Sequence, residues 1–484
     1  MSISGALNNA MSGLRAAGRA SELVSSNISN ALTPGYGRRM LALSSSTIGD
    51  FGGVRVDGIT RVVNESIAQD RRLADARNAE ATMVADFFTK LESVMGTPDD
   101  AFSVSARMSS FESGLISAAS RSDAPERLSR VVSDARSLAN SLKEASSSIQ
   151  DARSTADRQI AVEVRQLNSA LEQVETLNSQ ITSVQVRGGD NASLLDQRQQ
   201  VVDRIGAMVP VRSVPRDNGQ IALYTEGGAI LIDGSAAKIE FEAVNVVTPY
   251  QSIGNGTLSG LTINGIPIRT NSETGALRGG SLSGHFEVRD ELAPQAQTEI
   301  DALARDLVER FQDPAVDTTL LPGDAGLFTD AGAAFDPLDE VGLSSRLSLN
   351  AAVDPAQGGE AYRIRDGMNA TSPGNAGDAT LLNALKSALN TERTPASGNF
   401  GTGALSAISL VSTLSSGFGA SRTESEQYLS FTSARLTELT ERQLADGVDT
   451  DTELQNLMLL ERAYAANARV VEAVDEMMQT IMRL

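Results

Sequence analysis

The chain of 484 residues contains no cysteine, which removes disulfides, thiolate metal sites and cysteine nucleophiles together. It contains one histidine, His285, so any multi-histidine metal centre is excluded as well, and the position of that residue argues against a histidine-based triad. His285 is expected at a strand-to-helix junction in a structural role. Tryptophan is absent and aromatics make up 4% of the chain, which suits long helices packed through Ala, Leu and Val better than a large aromatic core. No apolar run approaches the ~18 residues of a membrane span. Near the start, Arg15 and Arg19 interrupt what would have to be an apolar stretch of ~7 residues in a secretory leader. Neither membrane insertion nor a cleaved signal peptide is therefore expected. Positive charge is also short: 41 Lys and Arg against 61 Asp and Glu leave a formal net charge of −20. That balance argues against a nucleic-acid partner, which needs local positive potential.

What is present is heptad periodicity at both ends. From Thr450 to Leu484, position a holds Leu457, Tyr464, Val471 and Met478, and position d holds Leu460, Asn467, Val474 and Ile481. Asn467 is the one polar member, placed to fix register at some cost in stability. Thr450 and Glu453 have the spacing of a capping box. At the other end, Leu7, Met11, Leu14, Gly18, Ser21, Ser25, Ile28 and Leu32 recur at four and three. Beside them runs a stripe of Ile3, Ala6, Ala10, Gly13, Ala17, Ala20 and Val24, small enough to let another backbone come close. The two seams are expected to pair, with neighbouring chains covering the stripe. Such an isolated pair gains little beyond the entropy it costs to order, so full order is expected only on association.

Between the ends the pattern alternates. Residues 41–63 are β-branched and glycine-punctuated, with Thr47 to Val56 read as short strands around turns, a hairpin joining helical regions. Helix is expected from Asn64 to Met95, then from Ser103 to Ser120, with Thr97-Pro98-Asp99-Asp100 stopping one and capping the next. From Leu128 to about Val184 apolar residues recur at three and four without a break, and Pro125 sits where a first-turn proline is tolerated. A helix that long points to a rod-like bundle rather than a compact enzyme domain. Gly188-Gly189 ends it, and Leu194 to Val209 forms a shorter helix. Residues 211–283 carry strand patterns separated by Asn-Gly, Gly-Gly and Asp-Gly pairs. Helix returns from about Phe286 to Phe311, residues 314–377 are irregular, and helices resume near 380–389 and 405–445.

Two motifs tie the ends to a known group. Asn30-Ala31-Leu32-Thr33-Pro34-Gly35-Tyr36 contains a Pro-Gly pair suited to a type II turn, and it resembles the N-terminal signature of bacterial flagellar axial proteins. Glu461 to Val470 with Asp475-Glu476-Met477 is similar to the C-terminal signature of that superfamily. Asp190-Asn191 and Leu194-Leu195-Asp196-Gln197-Arg198, followed by Val202-Asp203, resemble the hook-associated protein 1 family, as does Gly279 to Gly284 leading into Arg289-Asp290-Glu291. The family usually carries an acid where this chain has Gln199.

The resemblance implies a structural protein at the hook–filament junction, exported unfolded by the flagellar type III apparatus. It implies self-association, contact with the hook protein and an adjacent hook-associated protein, and an export chaperone at the C-terminal helix. The expected fold is mainly α with an inserted β domain. It comprises a terminal coiled coil (1–36 with 446–484), a long-helix bundle body (37–210 with 284–312 and 378–445) and a β-rich outer domain (211–283 with 313–377). Site residues are then packing seams and the motif positions Asn30, Thr33, Pro34, Gly35, Tyr36, Asp196 and Arg198, with no catalytic, cofactor or metal residues. Alternatives are a hook or distal rod protein, which would lack the long helix and the Leu-Asp-Gln-Arg run, or a surface adhesin. An adhesin would cluster exposed aromatics on the β surface, where Tyr224, Phe241, Tyr250 and Tyr362 are available. An enzyme would need a deep polar pocket with converging carboxylates. Asp449 to Glu453 opens like a calcium loop, but Leu454 and Leu460 stand where Gly and Glu are required, so it is read as a helix start. Gly254, Gly256 and Gly260 lack the following helix that a phosphate cradle needs. Arg38-Arg39 and Arg71-Arg72 are read as solvated or cross-subunit ion pairs.

Overall fold

The computed structural model describes residues 3–45, 52–97 and 99–483. It is mainly α with small inserted sheets. Helix α1 (Ile3–Ser29) is followed by the antiparallel pair β1 (Arg38–Ser45) and β2 (Val54–Val62), then α2 (Glu65–Met95) and α3 (Val104–Ser120). Helix α4 (Pro125–Val186) is 62 residues long, about 93 Å at 1.5 Å per residue, and begins at the first-turn proline. After α5 (Ala192–Met208) come β3 (Val211–Pro215), β4 (Ile221–Thr225), β5 (Ile230–Asp233) and β6 (Ser235–Ala236), one meandering sheet. A second sheet holds β7 (Ile239–Glu240), β8 (Leu261–Ile263) and β9 (Ile266–Ile268). Helix α6 (Gly280–Glu287) then runs through a π turn at Val288–Leu292 into α7 (Ala293–Phe311). The remainder is β10 (Phe328–Asp330), α8 (Leu343–Arg346), β11 (Leu347–Leu349), α9 (Arg363–Asp366), α10 (Thr380–Asn390), α11 (Ala407–Ala445) and α12 (Thr450–Arg483).

Helix α4 is the spine, and two apolar clusters are strung along it. Its first half, Leu128 to Ala156, packs with α3, α7, α10, α11 and the segment 313–377, burying Phe111, Phe311 and Phe328 in a mutual aromatic contact. Its second half, Ile160 to Leu177, packs with α5, α6 and the two small sheets of 211–268. Side-chain amides of α4 fasten those sheets: Asn178 donates to the Ile221 carbonyl at 2.9 Å and accepts from its N–H at 3.2 Å, and Asn168 does the same for Ile239. The strands are too short to close on themselves, so the helix supplies the missing backbone partners.

A buried ionic layer separates the two clusters. Arg289, fully buried, bonds Asp157 at 2.7 Å and Asp290 at 2.9 Å and lies against the rings of Phe286 and Phe241. Arg153 donates to the Arg289, Thr248 and Gln251 carbonyls, while Asp157 also accepts from the Val244 and Asn245 N–H groups. The π turn lies on the facing helix at this level.

Several expectations are corrected. The segments 211–283 and 313–377 do not form one β domain: their strands do not pair, and their buried apolar residues join different clusters on the two halves of α4. Helix returns at Gly280 instead of Phe286, so His285 lies inside α6 rather than at its entry. Helix α3 is capped by Ser103, whose Oγ accepts from the Ala106 N–H at 3.1 Å, not by the Thr97–Asp100 stretch. Pro98, and residues 46–51 of the hairpin, lie outside the described residues.

Candidate assembly interface at the paired chain ends

Helices α1 and α12 pair antiparallel, with Gly13 beneath Asn467 and Asn27 beside Glu453. The face that α1 turns to α12 is the small-residue stripe: Ala10, Ala17 and Val24 are buried, and a side chain grafted on Gly13 would stand 2.7 Å from the Asn467 amide. This corrects the expected seam. Leu7, Leu14 and Ile28 are only half-buried on the flank, Met11 is exposed and Leu32 is 88% exposed. The reason is steric. Both α1 registers keep heptad spacing, but only the Ala and Gly register lets the backbones approach closely enough to use the larger α12 side chains. On α12, Leu457, Leu460, Asn467 and Val471 are half-buried and Val474 is buried, whereas Tyr464, Met478 and Ile481 are exposed. Asn467 satisfies its amide within its own helix, donating to the Ala463 carbonyl at 2.9 Å.

A polar lock closes the base of this pair. Asn27, 1% exposed, accepts from the Arg39 N–H at 3.0 Å and the Tyr36 hydroxyl at 2.9 Å, and donates to the Arg39 carbonyl and to Glu453. Glu453 is equally buried and accepts from Arg38 Nε at 2.7 Å. The expected capping box is therefore absent: Asp449 caps α12, accepting from the Asp451 and Thr452 N–H groups, and Glu453 is spent on the other end of the chain. Asn27 is the next heptad step after Val24, so the signal for it was the stripe itself, extended by three.

The motif Asn30 to Tyr36 shapes the exit from α1. Asn30 donates back to the Ser26 carbonyl, and Thr33 bonds Asn30. The Tyr36 N–H closes onto the Thr33 carbonyl at 3.1 Å with Gly35 at φ +77°, as a type II turn requires. Gln200 of α5 covers Gly35 and donates to the Pro34 carbonyl at 2.7 Å, leaving no room for a Cβ. The chain then meets Asp196, which accepts from the Gly37 N–H at 3.0 Å, Arg39 at 3.0 Å and Arg61 at 2.6 Å. Gln199 accepts from Arg61 as well. Two residues along from Asp196, Arg198 points the other way, donating to Asn178 at 2.9 Å and the Gly219 carbonyl at 2.6 Å. One turn of α5 thus ties the chain ends to the sheet-bearing half of the body.

The arginine pairs are corrected accordingly. Arg38 and Arg39 engage Glu453 and Asp196, and Arg71 and Arg72 both hold Asp203, at 2.6 and 2.5 Å, all within one chain. Further along, α2 and α11 lie antiparallel, joined by Arg422–Glu92 at 2.6 Å and, beside the lock, by Asn64–Asp446 at 2.8 Å.

His285 stands 3.6 Å from Glu163 in the α4–α6 contact. Burial pulls the imidazole down to about 4 and pushes the Glu163 carboxyl up to about 7. No helix among the described residues is long and apolar enough to cross a membrane.

A family model described as the flagellar hook-associated protein FlgK helical domain matches residues 88–326. Models for the flagellar basal body rod FlgEFG protein C-terminal and for the flagella basal body rod protein match residues 445–484 and 7–36. The chain is 28% identical over 285 residues to flagellar hook-associated protein 1 of Salmonella typhimurium, covering 54% of this chain and 51% of that one. It is 21% identical over 513 residues to the protein of that name in Bacillus subtilis, covering 98% and 97%. In the Salmonella match the chain spans about half the length of its relative. The solved flagellar hook junction protein FlgK from Burkholderia pseudomallei aligns with a TM-score of 0.45 at 21% identity, over 54% of this chain and 46% of that one.

Proposed function

We propose, from the match of residues 88–326 to the FlgK helical-domain model and the likeness to flagellar hook-associated protein 1, that the chain belongs to that family and is a structural component of the bacterial flagellum at the junction between hook and filament. The observation that carries this reading is the paired chain ends, whose coupling through Asn27, Arg38 and Glu453 is complete while their outer faces are not covered. Tyr464, Met478 and Ile481 on α12 and Met11 and Leu32 on α1 are large apolar groups turned to solvent. An array of that size on paired helices needs further helices against it. Copies of this chain are the first candidates, followed by the hook protein below and the adjacent hook-associated protein above. Before export through the type III apparatus the same face of α12 is a fitting site for a chaperone.

The adhesin reading gains no support from the aromatics expected for it. Of Tyr224, Phe241, Tyr250 and Tyr362 only Tyr250 is exposed, and it is bonded to Arg346, so they form no common exposed patch. Electron microscopy of a deletion strain tests the junction role. Hooks that carry no filament, with filament protein shed into the medium, are the expected result; intact filaments, or the loss of hooks as well, would overturn it.

A further inference from the structure

A cavity of about 310 Å³ lies where α2, α5 and the β3–β4 sheet meet, and its wall carries four guanidinium groups, those of Arg61, Arg72, Arg198 and Arg216. Three are held from behind by carboxylates that do not line the cavity: Arg61 by Asp196, Arg72 by Asp203 and Arg216 by Asp233. Arg198 differs. It is 8% exposed, and its hydrogen bonds, to Asn178 and the Gly219 carbonyl, both come from Nη1 and end on neutral acceptors. Among the described residues no carboxylate lies within ion-pair distance of it, and its Nε and Nη2 make no hydrogen bond. Burial lowers Arg198 to about 10, so it still carries its proton at neutral pH. A buried guanidinium whose counter-charge, Glu65, acts on it only through space is costly, and its planar fork matches two oxygens of one anion.

We propose that this cavity binds a small oxyanion, a carboxylate or phosphate group, in the open edge of the Arg198 guanidinium. Gln199 stands on the same wall and accepts from Arg61 through its amide oxygen, so Gln199→Glu would install a resident carboxylate there. Glu65 is the one carboxylate already on the wall; among the described residues its side chain makes no hydrogen bond or ion pair, and its charge favours Arg198 through space while opposing an incoming anion. The volume suits a single small group against the apolar floor of Leu195, Val202 and Ile221. An anion there would join α2, α5 and the sheet, and the inference does not depend on the junction assignment.

The test is thermal unfolding of the full chain in succinate or in phosphate, against sodium chloride of equal ionic strength. A midpoint that climbs by about 1 °C for each tenfold rise in anion above its Kd is expected for the wild type. Gln199→Glu is expected to start from a higher midpoint and to lose the response, and Glu65→Gln to shift the response to lower anion concentration. Response to one anion alone identifies which oxyanion the site prefers. An equal climb in wild type and Gln199→Glu would mark general salting and overturn the proposal. So would a Glu65→Gln variant that is destabilised with its anion response unchanged, because Glu65 would then be the partner of Arg198.

Discussion

Asn27 and Glu453 lie 426 residues apart in the chain and share a buried hydrogen bond of 3.2 Å. The amide has four bonding positions and uses all of them: two oxygen contacts and one nitrogen contact hold the turn after α1, and the last reaches α12. A buried carboxylate is tolerated there because Arg38 neutralises it. Closing the lock therefore requires both chain ends and the first residue of β1 at once.

Replacing Glu453 with alanine leaves Arg38 and the Asn27 amide without their acceptor. The expected cost is roughly 1–3 kcal/mol, discounted because Arg38 is partly solvated. It should appear as faster amide exchange in 3–29 and 450–483, while the body around α4 keeps its protection. Unchanged exchange in both end helices would rule out a locking role.

Gly13→Ala tests the close approach of α1 to α12. The new methyl would meet the Asn467 side chain at 2.7–2.9 Å, inside van der Waals contact, so the helices must separate or Asn467 must turn away. Destabilisation of the end pair by about 1–3 kcal/mol is expected, with most of it recovered in Gly13→Ala combined with Asn467→Ala. Two additive losses in that cycle would place the residues apart.

Asp196→Ala removes the single acceptor shared by the Gly37 N–H, Arg39 and Arg61. Two nearly buried guanidinium groups then lose their main counter-charge, which costs roughly 3–5 kcal/mol for a pair broken from one side. Limited proteolysis should cut between residues 36 and 64 in the variant and spare the wild type. Equal resistance of both proteins would show that the hairpin is held by other contacts.

The Glu163 site sets a pH dependence whose sign is fixed. A carboxyl raised from 4.5 to about 7 is protonated in the folded chain while the unfolded chain ionises it, so stability is full below about pH 4.5 and falls as pH rises to about 7. Glu287, pushed up to about 7 by burial and by Glu80 and Glu291, acts in the same direction. His285 opposes both: lowered from 6.5 to about 4, it withdraws stability as pH falls through that window. Between pH 4.5 and 6.5 two carboxyls outweigh one imidazole, and these three groups together make the chain less stable with rising pH. Glu163→Gln should therefore raise the unfolding midpoint at pH 8 and leave it nearly unchanged at pH 4.5, a gain on the order of 2–3 kcal/mol at the higher pH. An equal gain at both values would contradict the buried carboxyl.

The helical framework was legible because its signals are local and repeated. The 62-residue helix announced itself through unbroken three–four spacing and a first-turn proline. The Thr33–Tyr36 turn followed from Pro-Gly alone. What periodicity could not decide was which of two heptad registers on α1 faces its partner, because the deciding factor is the size of the opposing side chains. Nor did spacing reveal that Glu453 serves Asn27 and Arg38 in place of its own helix, since that partner is 426 residues away. The assignment of 313–377 failed for a related reason: Gly, Pro and Asp reveal irregular backbone but not which half of a spine it covers.

The ionic layer at Arg153, Asp157 and Arg289 gives the spine an uneven response to force. Dispersion contacts in the two apolar clusters are non-directional and yield gradually under shear, whereas a buried guanidinium sharing oxygens at 2.7–2.9 Å has one geometry and resists displacement until it lets go. A column of about 93 Å under torque would therefore store twist in its two oily halves and hold its angle at the middle. The π turn facing that layer offers one surplus residue per turn with which the neighbouring helix can take up the strain.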